Sequence, residues 1–91
     1  MMPAKKTEVR KAAGKLVSAI QKEWGDELGD PGAVLSETVM HNCHALLHAN
    51  TAEELQKILN GRSVEEFLGI HWVKAHPTVK PFIRKLESAC E

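Results

Sequence analysis

Aromatic residues are scarce in this chain: two tryptophans, two phenylalanines and no tyrosine among 91 positions. Runs that alternate polar and apolar residues are missing as well, and so are clusters of β-branched and aromatic side chains. A sheet needs both. Their absence leaves helices as the only regular structure the pattern supports. No apolar run approaches the ~20 residues that cross a bilayer as a helix, so no membrane span is expected.

Cysteine is nearly as rare. Two thiols, Cys43 and Cys90, are too few for a disulfide framework. They are read as free thiols in a reducing compartment, which points to the cytoplasm. The basic start Met1–Lys6 has no apolar stretch behind it, so no ordinary secretory signal is expected. Charge of one sign is lacking too. Twelve basic and twelve acidic residues cancel to a net charge of zero. A chain that coats nucleic acid or an anionic surface carries a basic surplus, so the balance argues against a nucleic-acid partner.

The motifs of catalysis are absent: no G-x-S-x-G, no glycine-rich phosphate loop, and no Cys/His nucleophile arrangement. Cys43 falls within an apolar stripe, where a thiol behaves as a small inert hydrophobe. No enzymatic activity is expected.

What remains is ordinary globular material, 43% hydrophobic and 26% charged, at a length that makes one domain with a real core. Residues 1–6 read as a flexible start and 7–91 as a single helical domain. Thr7 is the expected cap of a first helix over about 7–24. Its stripe is Val9, Ala12, Ala13, Leu16, Val17, Ile20 and Trp24, and Gly25 stops it. Asp30-Pro31 predicts the start of a second helix, with Leu35, Val39, Cys43, Leu46 and Leu47 buried and an end near Ala49-Asn50. Thr51 with Glu54, and Ser63 with Glu66, are capping boxes for two further helices. Asn60-Gly61 ends the first of these, and Gly69 interrupts the second. His76-Pro77 closes the next run, and a last helix begins near Thr78. The expected architecture is all-α: a compact bundle of four to five short helices in a single domain.

The one conspicuous chemical pattern is Glu37, His41, His44 and His48 on the second helix. On α-helical geometry they fall within roughly 60° of one another, away from the apolar stripe. His44 and His48 form the i, i+4 pair by which one helix holds zinc or another divalent transition metal. His41 and His48 are about 10.5 Å apart along the axis, so one ion takes two of these ligands at most, and others must come from His71, His76 or another subunit. The same three imidazoles would charge together on mild acidification. A contact face is the plainer reading.

Basic side chains gather in two runs, Lys5, Lys6, Arg10, Lys11 and Lys15, then Lys74, Lys80, Arg84 and Lys85. Such runs are usually the solvated backs of amphipathic helices. The helices either side of Gly61 superficially suggest a helix-turn-helix. The second of them opens Ser63-Val64-Glu65-Glu66, with carboxylates where phosphates would lie.

Val64, Phe67, Leu68, Ile70, Trp72 and Val73 exceed what one helix face can bury, so this segment is either buried on two sides or partly a partner surface. The functional expectation is a small interaction or regulatory module with no cofactor, acting on a protein partner or a second copy of itself. Its surface would be Glu37, His41, His44, His48 and Trp72. A metal-binding bundle through His44 and His48 is the alternative, and binding of nucleic acid or an acidic partner through the basic faces ranks below it.

Overall fold

The computed structural model describes residues 8–89; the expected cap Thr7, the basic Lys5 and Lys6, and Cys90 lie outside that range. Among the described residues there are six α-helices and no strand: α1 (Glu8–Asp26), α2 (Ala33–His44), α3 (Ala52–Leu59), α4 (Val64–Leu68), α5 (Ile70–Ala75) and α6 (Lys80–Ala89). Single 3-10 turns follow α2 at Ala45–His48 and precede α6 at Pro77–Val79. The all-α expectation holds, with six helices in place of four or five.

α1 is the spine. Its stripe of Val9, Ala12, Ala13, Leu16, Val17 and Ile20 is buried, and it packs against both α2 and α6. Leu46, Leu55, Val73, Ile83 and Leu86 close the core from the other elements, each 1% exposed or less. Of the two expected capping boxes, the one at Ser63 is complete, whereas at Thr51 the Glu54 carboxylate accepts from the Asn50 N–H at 2.9 Å in place of the Thr51 N–H. The Thr51 hydroxyl accepts the Glu54 N–H at 3.1 Å. Ser63 and Glu66 satisfy each other's backbone N–H groups reciprocally, at 3.1 and 2.9 Å. α3 ends on Asn60 in the left-handed region, φ 53°, the residue type after glycine that tolerates it best. Gly69 separates α4 from α5 at φ 113°, a conformation that any Cβ would strain. That break explains how the apolar surplus around it is absorbed. α4 buries Val64 and Leu68 while α5, on a new axis, buries Trp72 and Val73.

Three expectations about the second helix are corrected. It begins at Ala33 rather than at Asp30-Pro31, and Gly32 at its N-cap makes no side-chain bond. Asp30 and Pro31 belong to a turn in which the Ala33 N–H reaches the Asp30 carbonyl. Leu35 is not buried but 56% exposed, and Ser36 occupies the inward position at 0%. The inward row is therefore Ala33, Ser36, Val39, Met40 and Cys43, which keeps Val39 and Cys43 of the expected stripe and turns it toward the side that includes a serine. Lastly, the α-helix stops at His44, and the chain continues to His48 as a 3-10 turn. α1 in turn runs through Gly25 to Asp26, two residues past its expected end.

Candidate functional site

The reason a serine can face inward is a polar cluster that joins three parts of the fold. Trp72 on α5 is 3% exposed, and its indole Nε1–H donates to Ser36 Oγ at 2.9 Å. The Ser36 hydroxyl donates in turn to Glu27 Oε1, in the turn between α1 and α2. The other carboxylate oxygen, Oε2, lies 2.9 Å from His76 Nε2. His76 Nδ1 lies 2.8 Å from the backbone carbonyl of Trp72, and the imidazole stacks on the indole at 4.1 Å between centroids.

Donor and acceptor chemistry sets the direction of every bond. An indole N–H only donates and a carbonyl only accepts. Ser36 accepts from the indole, so its own proton goes to Glu27. His76 donates from Nδ1 to the carbonyl, and from Nε2 it faces the Glu27 carboxylate, an arrangement that favours the imidazolium over the neutral ring. The circuit begins on the Trp72 side chain and ends on the Trp72 backbone. Among the described residues no buried side-chain polar atom is left without a partner.

The ionisation of both groups follows from this geometry. Hydrogen bonds from Ser36 and then His76 hold the Glu27 carboxyl below the usual range. For His76 the largest influence is desolvation, which lowers the pKa. The bonds to Glu27 and to the Trp72 carbonyl, with the charges of Glu27 and Glu23, outweigh it and raise the value overall. This is not a hydrolase relay. In a Ser–His–acid triad the imidazole contacts the serine, whereas here the carboxylate stands between them and Ser36 is fully buried. The cluster works as a clasp: it ties the α1–α2 turn to α2 and α5.

Comparison with known proteins returned no match: no family model, no curated protein and no solved structure. The functional reading therefore rests on the surfaces themselves.

The structure only partly gathers the residues of the expected contact face. Glu37 and His41 sit one turn apart on the outer side of α2, with His41 Nε2 3.6 Å from Glu37 Oε1 and both side chains at least half exposed. His44 is half-buried, its ring 6.3 Å from that of His41. His48 falls in the 3-10 turn. At roughly 120° per residue, four 3-10 steps end about 120° away from the starting side chain, against about 40° on an α-helix. The α-helical geometry that would pair His44 with His48 does not extend to His48. Among the described residues no three His, Cys, Asp or Glu side chains converge as ligands of one ion would. His76 is engaged in the clasp.

Trp72 is corrected outright: the clasp places it in the core, and the exposed apolar residue of that segment is Ile70, at 42%. The Cys43 thiol is buried, and burial pushes its pKa up to about 12. It stays protonated and inert at neutral pH.

The pattern missed two features. One is the exposure of three large aliphatics within eight positions of sequence: Leu28 at 62%, Val34 at 71% and Leu35 at 56%. Leu35 was hidden by its fit to the expected stripe. The other is the meeting of the two basic runs, since Lys11 and Lys15 of α1 line one concavity with Arg84 and Lys85 of α6.

Proposed function

We propose that the protein is a non-catalytic interaction module of a reducing compartment such as the cytoplasm, and that it associates through the outer face of α2. The observation that carries this reading is the exposure of Val34 and Leu35 at the start of that helix, with Leu28 in the turn before it. Isolated exposed aliphatics need no explanation, but a group of three large ones is a contact surface in waiting. On α-helical geometry Val34, Glu37, Thr38 and His41 share an arc of about 100°. Val34 therefore runs directly into the polar stripe, with Leu35 about 60° outside that arc, as the core and rim of a small interface do.

The partner is a second copy of the chain. The face is self-complementary: in an antiparallel two-fold pairing centred on the level of Val39, Glu37 of one copy lies beside His41 of the other. A two-fold interface requires such reciprocal placement. One short helix face makes a small contact, so the association is weak and depends on concentration.

Sedimentation equilibrium tests it. The wild-type weight-average mass is expected to climb toward the dimer as concentration rises, and Val34→Glu with Leu35→Glu should return it to the monomer without changing the melt. A wild-type chain that stays monomeric up to ~1 mM, where an association of about 4 kcal/mol is already visible, removes the proposal.

A further inference from the structure

The fold brings together two basic runs that the sequence holds some seventy positions apart. Lys11 and Lys15 from α1 and Arg84 and Lys85 from α6 line a concavity of about 450 Å³, with Glu8 its one carboxylate. Along α1 it meets a second, broader concavity of about 730 Å³, lined by Arg10, Lys15 and Lys22 over Val17, Leu47 and Phe82, with no carboxylate at all. Among the described residues no carboxylate comes within 4.0 Å of Lys15, Lys22, Arg84 or Lys85. Because the whole chain is neutral, this surplus is a separation of charge: acids collect elsewhere, as at Glu53, Glu54, Glu65 and Glu66 on the first turns of α3 and α4.

We propose that this α1–α6 face is a second docking surface, and that it takes an acidic amphipathic helix from another protein. The lining decides the class of partner. A row of cations beside apolar side chains complements a helix that carries carboxylates on one side and aliphatics on the other, the helix-in-groove mode. A phosphate backbone would use the cations and leave the apolar lining unmatched. The length of the basic stretch agrees. Glu8 stands at one end, and Glu23 and Asp26 line the α1–α6 concavity at the other. From Glu8 to Glu23 is about 22 Å along the helix, some four turns. A short helix fits between these carboxylates, whereas a nucleic-acid strand continuing past either end meets like charge. The face borders the α2 surface at His44, which lines the broader concavity and whose ring lies 6.3 Å from that of His41, but the cations that carry the inference are on α1 and α6, and it does not depend on self-association through α2.

The test uses the full chain and a fluorescein-labelled synthetic peptide of about sixteen residues, with leucines at i, i+3, i+4 and i+7 and glutamates at the remaining positions. A peptide of the same composition with the leucines scattered, a single-stranded oligothymidine and a DNA duplex are titrated alongside. The amphipathic peptide is expected to bind saturably and more weakly as salt rises, about tenfold more tightly than the scattered one. Lys15→Glu and Arg84→Glu should each weaken it by about tenfold, and Lys57→Glu on α3 should not. Should a charge reversal disturb the melt, Lys15→Ala and Arg84→Ala carry the same comparison with a smaller loss expected. Equal binding of the two peptides reduces the face to bulk electrostatics and overturns the proposal. So does equal or tighter binding of either nucleic acid, an affinity untouched by the α1 and α6 variants, or no binding by the wild type.

Discussion

Replacing Trp72 with alanine should cost more stability than any other single change to the polar clasp, about 3–5 kcal/mol. Domains of this size hold only ~5–15 kcal/mol in total. Two losses add up. The indole is 3% exposed against the core, and its removal leaves a cavity. It also takes away the N–H that Ser36 accepts, leaving a buried hydroxyl oxygen half-satisfied. The melting midpoint should fall by on the order of 20 °C, or the chain should fail to fold cooperatively.

Trp72→Phe separates the two losses. It keeps a six-membered ring and removes the donor together with the small ring that carries it, so about 1–3 kcal/mol should be lost, less than for alanine. Pairing it with Ser36→Ala in a double-mutant cycle should show coupling, since both changes break one bond. A Trp72→Ala variant that melts like the wild type would mean the indole is not buried on Ser36 at all.

The second large effect is on the pH dependence of stability, and it has two opposite limbs. His76 is held above the ordinary imidazole value of 6.5. Its contribution is therefore complete below that value and is lost as pH rises through its raised folded-state pKa. Glu27 is held below the ordinary carboxyl value of 4.5. Its contribution is complete above that value and is lost as pH falls through its lowered folded-state pKa. The clasp is thus strongest between about pH 4.5 and 6.5 and weakens on either side.

Among the neighbouring charges, Glu23 adds to the field that holds His76 protonated. Urea midpoints measured from pH 4 to 9 should show the wild type losing stability on the alkaline side. Glu27→Gln, which keeps the size and an acceptor but not the charge, should flatten that limb and cost about 1–3 kcal/mol near pH 6. An alkaline limb that persists unchanged in both Glu27→Gln and His76→Gln would assign it to other groups and dismiss the clasp as its cause.

How much of this was legible depended on whether the signal was local. Thr51 as an N-cap, Ser63 with Glu66, and Gly69 act within four residues of themselves, and each does what its sequence context indicates. The stripe of α1 was equally plain, because its buried positions are all apolar. α2 was not, for the opposite reason. A periodicity argument counts serine as outward-facing, and Ser36 lies inward only because Glu27, nine positions before it, and Trp72, thirty-six after it, complete its hydrogen bonds. No spacing rule links positions that far apart.

Leu35 was misplaced in the same stroke, since the stripe that seemed to claim it had turned toward Ser36. The shift from α to 3-10 geometry beyond His44 likewise has no marker in Ala45-Leu46-Leu47-His48, and it alone rearranged the histidine pattern. The basic face was visible as two runs. That they are one surface follows from α6 packing on α1, and packing order is not written in the period of either helix.

The stacking of His76 on Trp72 gives the molecule an optical readout of its own. A protonated imidazole 4.1 Å from an indole is an efficient quencher of its emission, and the neutral ring is a poor one. Raising the pH should therefore brighten Trp72 as the clasp loosens. The only other indole, Trp24, sits half-buried on α1 and can be replaced by phenylalanine to leave a single emitter. The state of one proton, on a half-buried imidazole, would then be read from the intact protein without any added label.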